Sequence, residues 1–268
     1  MNMRKLIISL LIVLTAGLLM FKGTDKQVIS DAVLKEQVPV LMYHKVNPYF
    51  YDGGKGLRVT PAAFREQMEC LYEQGYHTVS LDQLMDHWQK KSDLPTKPIV
   101  ITFDDGYEDN YRFAFPVLKK FGFSATIFLV YDDIGGFNVW DDKKNVAHHI
   151  RLLSWHQIDL MKAEGIAFES HTLTHPNLTR ITPEAARREI TESKEKLEKR
   201  LGTEVNFIAY PYGKRNPVID EAVRTAGYRG AVTTVVGKNL ASTDPVELKR
   251  LRVNGYTTMK RFKTMLEK

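Results

Sequence analysis

The run Pro98-Ile99-Val100-Ile101-Thr102-Phe103 ends abruptly in Asp104-Asp105-Gly106. Consecutive apolar and β-branched residues suit a strand covered on both faces, as in a parallel sheet with helices packed around it. Two carboxylates then sit where the strand stops. Successive strand side chains point to opposite sides, so Asp104 and Asp105 reach one open site only if the backbone turns there, and Gly106 permits that turn. The plain alternative for an isolated Asp-Asp-Gly is an acidic loop. What the other strands deliver decides between the two.

The surrounding chain repeats a unit of strand, loop, helix and glycine. Val38 to His44 forms a second buried-type strand, followed by a loop over residues 47–59. Thr60-Pro61 opens a helix to about Gln74, with Gly75 as its stop. A short strand at His77–Val79 leads to Ser80-Leu81-Asp82-Gln83, a capping box opening the next helix. After the central strand come a helix from about Asp109 to Phe121, a strand from Ser124 to Val130 and an irregular insertion over 131–153. Ser154 opens another helix, and Ile166–Glu169 runs as a strand into Ser170-His171. A long charged helix spans Thr182 to about Leu201. Val205–Tyr210 is a strand followed by Pro211-Tyr212-Gly213, Asn216-Pro217 starts a helix ending at Gly227, and Arg229–Val235 and Lys249–Val253 are the last strands. This order predicts an α/β architecture with a mostly parallel sheet.

At 268 residues and 43% hydrophobic content the chain can bury a full core, in one barrel-sized domain or two small ones. The net charge of +6 is spread among acids without a basic block or a nucleic-acid motif, so no nucleic-acid partner is expected. Cys70 is the single cysteine. It excludes an internal disulfide and a cysteine-based zinc site, and it falls on the apolar helical stripe of Phe64, Met68 and Leu71, as a buried thiol would. At the N-terminus, Arg4 and Lys5 precede an uncharged run from Leu6 to Phe21, then Lys22. Residues 1–22 read as a signal peptide or an N-terminal membrane anchor. The run is slightly short of the roughly 20 residues of a comfortable span, and it lacks a clear small-x-small cleavage site or a following lipoprotein cysteine, which favours the anchor. Residues 23–36 read as a linker and 37–268 as the domain, outside the cytoplasm in either case.

Functional residues of a parallel α/β barrel lie at the carboxyl ends of its strands. His44, Asp104-Asp105, His171 and Tyr212 fall at four such ends. In His171-Thr172-Leu173-Thr174-His175 the i, i+4 spacing predicts two imidazoles on one side of a helical turn, as two ligands of one cation require. With one aspartate the set becomes His-His-Asp and leaves a position for water, the pattern of a hydrolytic metal centre. The other aspartate is then free to take a proton from that water. The backbone N–H after Pro211, that of Tyr212, is a candidate oxyanion donor, and His44 a candidate acid for a leaving amine. His77 and His87 read as surface or packing residues and His148-His149 as a solvated loop feature. Tyr49, Phe50, Tyr51, Trp140 and Tyr212 lie in expected loops, where they can line a sugar groove, whereas Trp88 and Trp155 lie on helices and read as packing.

Thr102-Phe103-Asp104-Asp105-Gly106, Ser170-His171-Thr172-Leu173-Thr174-His175 and Tyr210-Pro211-Tyr212-Gly213, in that order, resemble the motifs of the polysaccharide deacetylases, the NodB-homology group within carbohydrate esterase family four. The resemblance covers essentially everything after the linker. It implies a distorted, incompletely closed (β/α) barrel of about seven parallel strands. It further implies Asp104 as catalytic base, with Asp105, His171 and His175 as ligands of a divalent ion, zinc or else cobalt or nickel. The reaction implied is removal of acetyl groups from a glycan. Two positions depart from the pattern. Ala209 stands where the family has an arginine that orients the base, and the usual final Leu-x-His motif is missing, with Met42-Tyr43-His44 as its permuted replacement, as in the extracellular poly-N-acetylglucosamine deacetylase branch.

The expectation is therefore an exported, metal-dependent N-deacetylase of an N-acetylglucosamine-containing polysaccharide, with peptidoglycan, poly-N-acetylglucosamine and O-acetylated chains as candidate polymers. Its rival is a surface glycan-binding protein with a residual metal site, supported by the missing arginine. A metal phosphoesterase ranks last because a second acid-and-histidine set for a two-metal clamp is missing.

Overall fold

The computed structural model describes residues 37–48, 54–140 and 150–267. The expectations for residues 1–36, for Tyr49, Phe50 and Tyr51, and for His148 and His149 lie outside the described residues. Among the described residues, ten strands and seven α-helices follow one another in chain order. They are β1 (Val40–Tyr43), β2 (Lys45–Val46), β3 (Arg58–Val59), α1 (Pro61–Glu73), β4 (His77–Thr78), α2 (Leu81–Trp88), β5 (Pro98–Phe103), α3 (Phe115–Phe121), β6 (Thr126–Leu129), α4 (Trp155–Ala163), β7 (Ala167–Ser170), α5 (Pro183–Leu201), β8 (Phe207–Ala209), α6 (Pro217–Thr225), β9 (Gly230–Val236), β10 (Leu248–Arg252) and α7 (Met259–Glu267). Among the described residues no helix is long and apolar enough to cross a membrane.

Seven strands form a parallel ring in the order β1, β10, β9, β8, β7, β6, β5, closed by pairing of β5 back onto β1. β4 lies outside the ring on β5, and β2 and β3 form a separate two-stranded sheet. Closure is thin between β7 and β8, which share the single register pair Ser170 and Ile208. There the buried Glu169 carboxylate accepts the Phe207 N–H at 2.8 Å, so a side chain replaces a missing ladder bond. Burial pushes the Glu169 carboxyl well above the usual carboxylate range. The barrel is thus distorted and partly closed, as the motifs imply.

Side chains alternate between the helix layer and the barrel interior. Leu41, Tyr43, Ile99, Ile101 and Phe103 pack outward with Phe64 and Met68 of α1, while Val40, Val100, Phe128, Phe207, Ala209 and Val232 fill the interior. Each fully buried side chain of this kind contributes roughly 1.5–3 kcal/mol. The same parity carries His44, Asp104 and His171, the residues just past β1, β5 and β7, onto the interior side at one end of the ring. Cys70 is buried on α1, as expected for an inert thiol.

Helix starts follow the capping residues legible in the chain. Ser80 with Gln83 and Ser154 with Gln157 form capping boxes, and Thr60, Thr182 and Asn216 accept backbone N–H bonds at the starts of α1, α5 and α6. The expected helix from about Asp109 differs. It begins with a π-helical turn, Asn110–Ala114, before α3. Pro116 has no N–H to give to the preceding turn, which loosens an α-helical entry at this point. The widened turn lets Asp109 accept the Val46 N–H at 3.0 Å and the Asn47 side chain at 2.8 Å, while Asn110 donates to the His44 carbonyl at 2.8 Å.

After Phe103 the chain turns through two left-handed residues, Asp105 (φ 73°) and Gly106 (φ 68°). The turn therefore starts one residue before the glycine. A Cβ on Gly106 would meet Leu129 Cδ2 at 2.8 Å. Gly106→Ala is expected to destabilise the protein by about 2 kcal/mol, from left-handed strain and the clash together, as read by urea unfolding.

Candidate active site

The turn at Asp105 sends the two adjacent carboxylates in different directions. Asp104 is buried, and its N–H is held by the Tyr43 carbonyl at 3.0 Å. Its carboxylate receives a two-pronged contact from Arg250, with Nη1 at 2.6 Å and Nη2 at 2.7 Å. Arg250 lies on β10 at 0% exposure, and its remaining donors reach the Thr233 carbonyl at 2.9 Å and Thr102 Oγ1 at 3.1 Å. Burial alone pushes the Asp104 carboxyl up. The Arg250 charge and hydrogen bonds, with His44 and His171 adding to them, outweigh burial and hold it below its ordinary value.

Arg250 is the residue missing from the motif reading. Ala209 leaves its position on β8 without a cation, and a guanidinium reaches the same acid from β10. The only signal in the chain was a charged residue at an interior-facing position of an otherwise half-apolar strand, Leu248-Lys249-Arg250-Leu251-Arg252.

His44 follows β1 and places Nε2 3.8 Å from Asp104 Oδ2. Burial is the largest influence on this imidazole. With Arg250 and Arg252 it outweighs the two aspartates and lowers the His44 pKa from 6.5 to about 4, so the ring is neutral near pH 7.

His171 and His175 converge, though not on a helical turn as their spacing predicted. The segment is a loop in which Thr172 (φ 72°) and His175 (φ 57°) are left-handed. In a helix these residues would need α-helical backbone angles. Here the His171 N–H bonds the Leu129 carbonyl at 2.7 Å and the His175 N–H bonds Thr172 Oγ1 at 3.1 Å, which folds the chain back and brings the imidazole centroids to 4.7 Å. Both Nε2 atoms lie 3.3 Å from Asp105 Oδ1. Asp105, His171 and His175 are all buried and offer one ligand atom each within 4.8 Å of one another.

These residues fit a divalent cation. Two ligands at roughly 2.0–2.1 Å from a tetrahedral zinc stand about 3.4 Å apart, which matches the Nε2 to Oδ1 separations. His171 Nδ1 lies 2.7 Å from the Ala209 carbonyl, which can only accept, so Nδ1 carries a proton and Nε2 is the nitrogen left to ligate a cation. Tyr212, left-handed at φ 60° in the turn Pro211–Gly213, sets its ring edge-on to His175 at 4.8 Å and remains 51% exposed. Trp140 stacks on the His175 ring at 4.6 Å. His77 and His87 are away from this cluster and bond the Thr96 and Ser92 carbonyls at the surface. Trp88 and Trp155 pack against the two cores.

A family signature described as polysaccharide deacetylase matches residues 91–231. The chain belongs to the polysaccharide deacetylase family. The Bacillus subtilis protein YxkH, named for the same family, is 34% identical over 218 residues, covering 81% of this chain and 72% of its own. The poly-β-1,6-N-acetyl-D-glucosamine N-deacetylase of Staphylococcus epidermidis is 30% identical over 188 residues, covering 67% of this chain and 62% of its own. Among solved structures, the Streptococcus pyogenes deacetylase PplD in complex with acetate superposes with a TM-score of 0.75 at 25% identity, over 87% of this chain and 99% of that one. This polysaccharide deacetylase thus carries the fold and a three-residue metal-binding cluster at the carboxyl ends of its strands, and it is a hydrolase acting on polysaccharide amide bonds.

Two outcomes follow from the buried charges. Arg250→Ala leaves Asp104 uncompensated in the interior and is expected to cost about 3–5 kcal/mol in denaturant unfolding, with part of the loss recovered in Arg250→Ala/Asp104→Asn. His44 has a folded pKa of about 4 against 6.5. The unfolded chain therefore binds more protons between those values, and stability falls as pH drops through that window. Metal-free His44→Gln should lose less stability than the wild type from pH 6.5 to 4, measured by urea unfolding at each pH.

Proposed function

We propose that this deacetylase removes N-acetyl groups from an N-acetylglucosamine-containing polysaccharide outside the cytoplasm, using one zinc ion held by Asp105, His171 and His175. The observation that carries the reading is the division of labour between neighbouring acids. Asp105 converges with two histidines, while Asp104 is held ionised by Arg250 on the side facing His44. A binding protein has no need of the second arrangement, and Arg250 answers the missing arginine that had favoured one.

An ion held by Asp105, His171 and His175 would supply Lewis-acid polarisation of the acetyl carbonyl and of the attacking water. Asp104, ionised at neutral pH, accepts a proton from that water as its oxygen bonds to the carbonyl carbon. The Tyr212 N–H, presented by the left-handed turn after Pro211, stabilises the oxyanion. Cleavage of the carbon–nitrogen bond needs a proton on the amine. His44 is neutral at rest, so it donates only after gaining a proton, and the Asp104 carboxyl at 3.8 Å is the neighbouring source. The products are acetate and a glucosamine ammonium group: one water proton reaches the nitrogen by way of Asp104 and His44, and the other passes from the acetic acid formed to the same nitrogen.

The substrate class is supported by the Staphylococcus epidermidis relative, named for its action on poly-β-1,6-N-acetyl-D-glucosamine, and by acetate in the Streptococcus pyogenes structure. The basic-flanked apolar run over residues 4–22 supports export, with anchoring to the outer face of the membrane if it is retained.

The test is acetate release from chitooligosaccharides, poly-β-1,6-N-acetylglucosamine and peptidoglycan, with chelator and with added zinc, cobalt or nickel. Release should require metal, and Asp104→Asn should lower kcat by roughly 10²–10⁴-fold, the usual contribution of a general base. Tight binding of one metal with no release from any of the three polymers would overturn the reading.

A further inference from the structure

The loop that brings His171 and His175 together has no regular secondary structure, yet each of its backbone N–H groups has a partner. His171 donates to the Leu129 carbonyl, Thr172 to Ser170 Oγ at 3.1 Å, and His175 to Thr172 Oγ1 at 3.1 Å. The two between them, Leu173 and Thr174, both donate to one carboxylate oxygen, Glu189 Oε2, at 2.9 and 3.0 Å. The other oxygen, Oε1, accepts the Thr174 hydroxyl at 2.7 Å. Glu189 is buried on the first half of α5. One turn further along the same helix, Ser193 Oγ lies 2.8 Å from Ser170 Oγ, next to the start of the loop.

We propose that Glu189 is the positioning residue of the metal centre: its carboxylate clamps Leu173 and Thr174 and so holds the His171–His175 loop in its ligating shape before the ion arrives. The inference rests on the metal-centre reading of Asp105, His171 and His175. Left-handed residues that are not glycine are disfavoured, and the loop has two, Thr172 and the ligand His175. A free loop would relax out of that shape and separate the imidazoles. Three hydrogen bonds to a carboxylate, which are stronger than neutral ones, oppose the relaxation. The loop's carbonyls are tied as well, since Thr172 and Leu173 accept the Tyr131 and Asp132 N–H groups at 3.1 and 3.0 Å. Those ties come from a neighbouring segment after β6, whereas Glu189 comes from a helix of nineteen residues and gives the clamp its rigid base. Glu189 touches neither ligand atom and acts only through the loop.

The experiment is cobalt titration of the full chain in detergent solution after chelation, followed by the visible absorption of the bound ion, for the wild type, Glu189→Gln and Glu189→Ala. The glutamine keeps one acceptor oxygen for the two N–H groups but loses the charge, and it serves as the folded control if the alanine variant does not fold. Expected are a Kd raised roughly 10–100-fold in Glu189→Ala, as for outer partners of metal ligands, and a smaller rise in Glu189→Gln. At saturating cobalt the absorption band and kcat should return to near the wild-type values, since the clamp sets the population of the ligating loop and takes no part in the chemistry. A Kd within about twofold of wild type in both variants, with only the unfolding midpoint of the metal-free protein lowered, would overturn the clamp and leave Glu189 a role in the fold alone. A wild type that binds no cobalt would overturn the metal centre itself, and the clamp with it.

Discussion

Two carboxylates on consecutive residues, both buried, are the constraint around which this barrel is arranged. A single buried anion is costly, and two in adjacent positions repel each other as well. The solution is to separate their environments. The left-handed Asp105 turns its carboxylate towards two imidazoles, whereas Asp104 stays on the interior face of its strand and meets a guanidinium. Each charge gains its own cation, one supplied by the chain and one accommodated by its ligands. That division gives neighbouring residues of identical chemistry different work.

A parallel ring is suited to this because strand alternation and strand order act together. Alternation selects which residues enter the barrel, and the ring brings β1, β5, β7, β8 and β10 to a common end from places far apart in the chain. Arg250 and Asp104 lie 146 positions apart and form a closed two-pronged pair. The site also concentrates backbone strain. Of the six described non-glycine residues with positive φ, four are Asp105, Thr172, His175 and Tyr212. Such residues cost of order 1–3 kcal/mol each and persist where surrounding bonds over-determine them. Glu189, the Ala209 carbonyl and the strand-end backbone supply those bonds.

Much of the frame was legible from local chemistry. Capping residues located the starts of α1, α2, α4, α5 and α6, and the buried apolar runs located β1 and β5, because these signals involve residues near one another in the chain. Local reading went astray where a tertiary contact decided the backbone. The His171–His175 spacing suggested a helical turn, but the N–H groups of that segment bond Ser170, Thr172, Glu189 and Leu129 in place of an i−4 carbonyl. The helix after Asp109 opened as a π turn because Pro116 weakens it and Asp109 and Asn110 are drawn to the β1–β2 corner.

The sequence by itself determined the ring strands and most of the helices that follow them, the strand-end positions of His44, Asp104, Asp105, His171 and Tyr212, and the family motifs. These depend on periodicity, on turn residues and on short ordered patterns. Only the tertiary structure decided that Arg250 replaces the cation absent at Ala209, that Asp105 turns away from Asp104, and that Glu189 ties down the histidine loop. A guanidinium on β10 carries no mark of which acid it will meet. Its partner is chosen by strand order around the ring and by the low-dielectric interior, where an unpaired charge is too costly to persist.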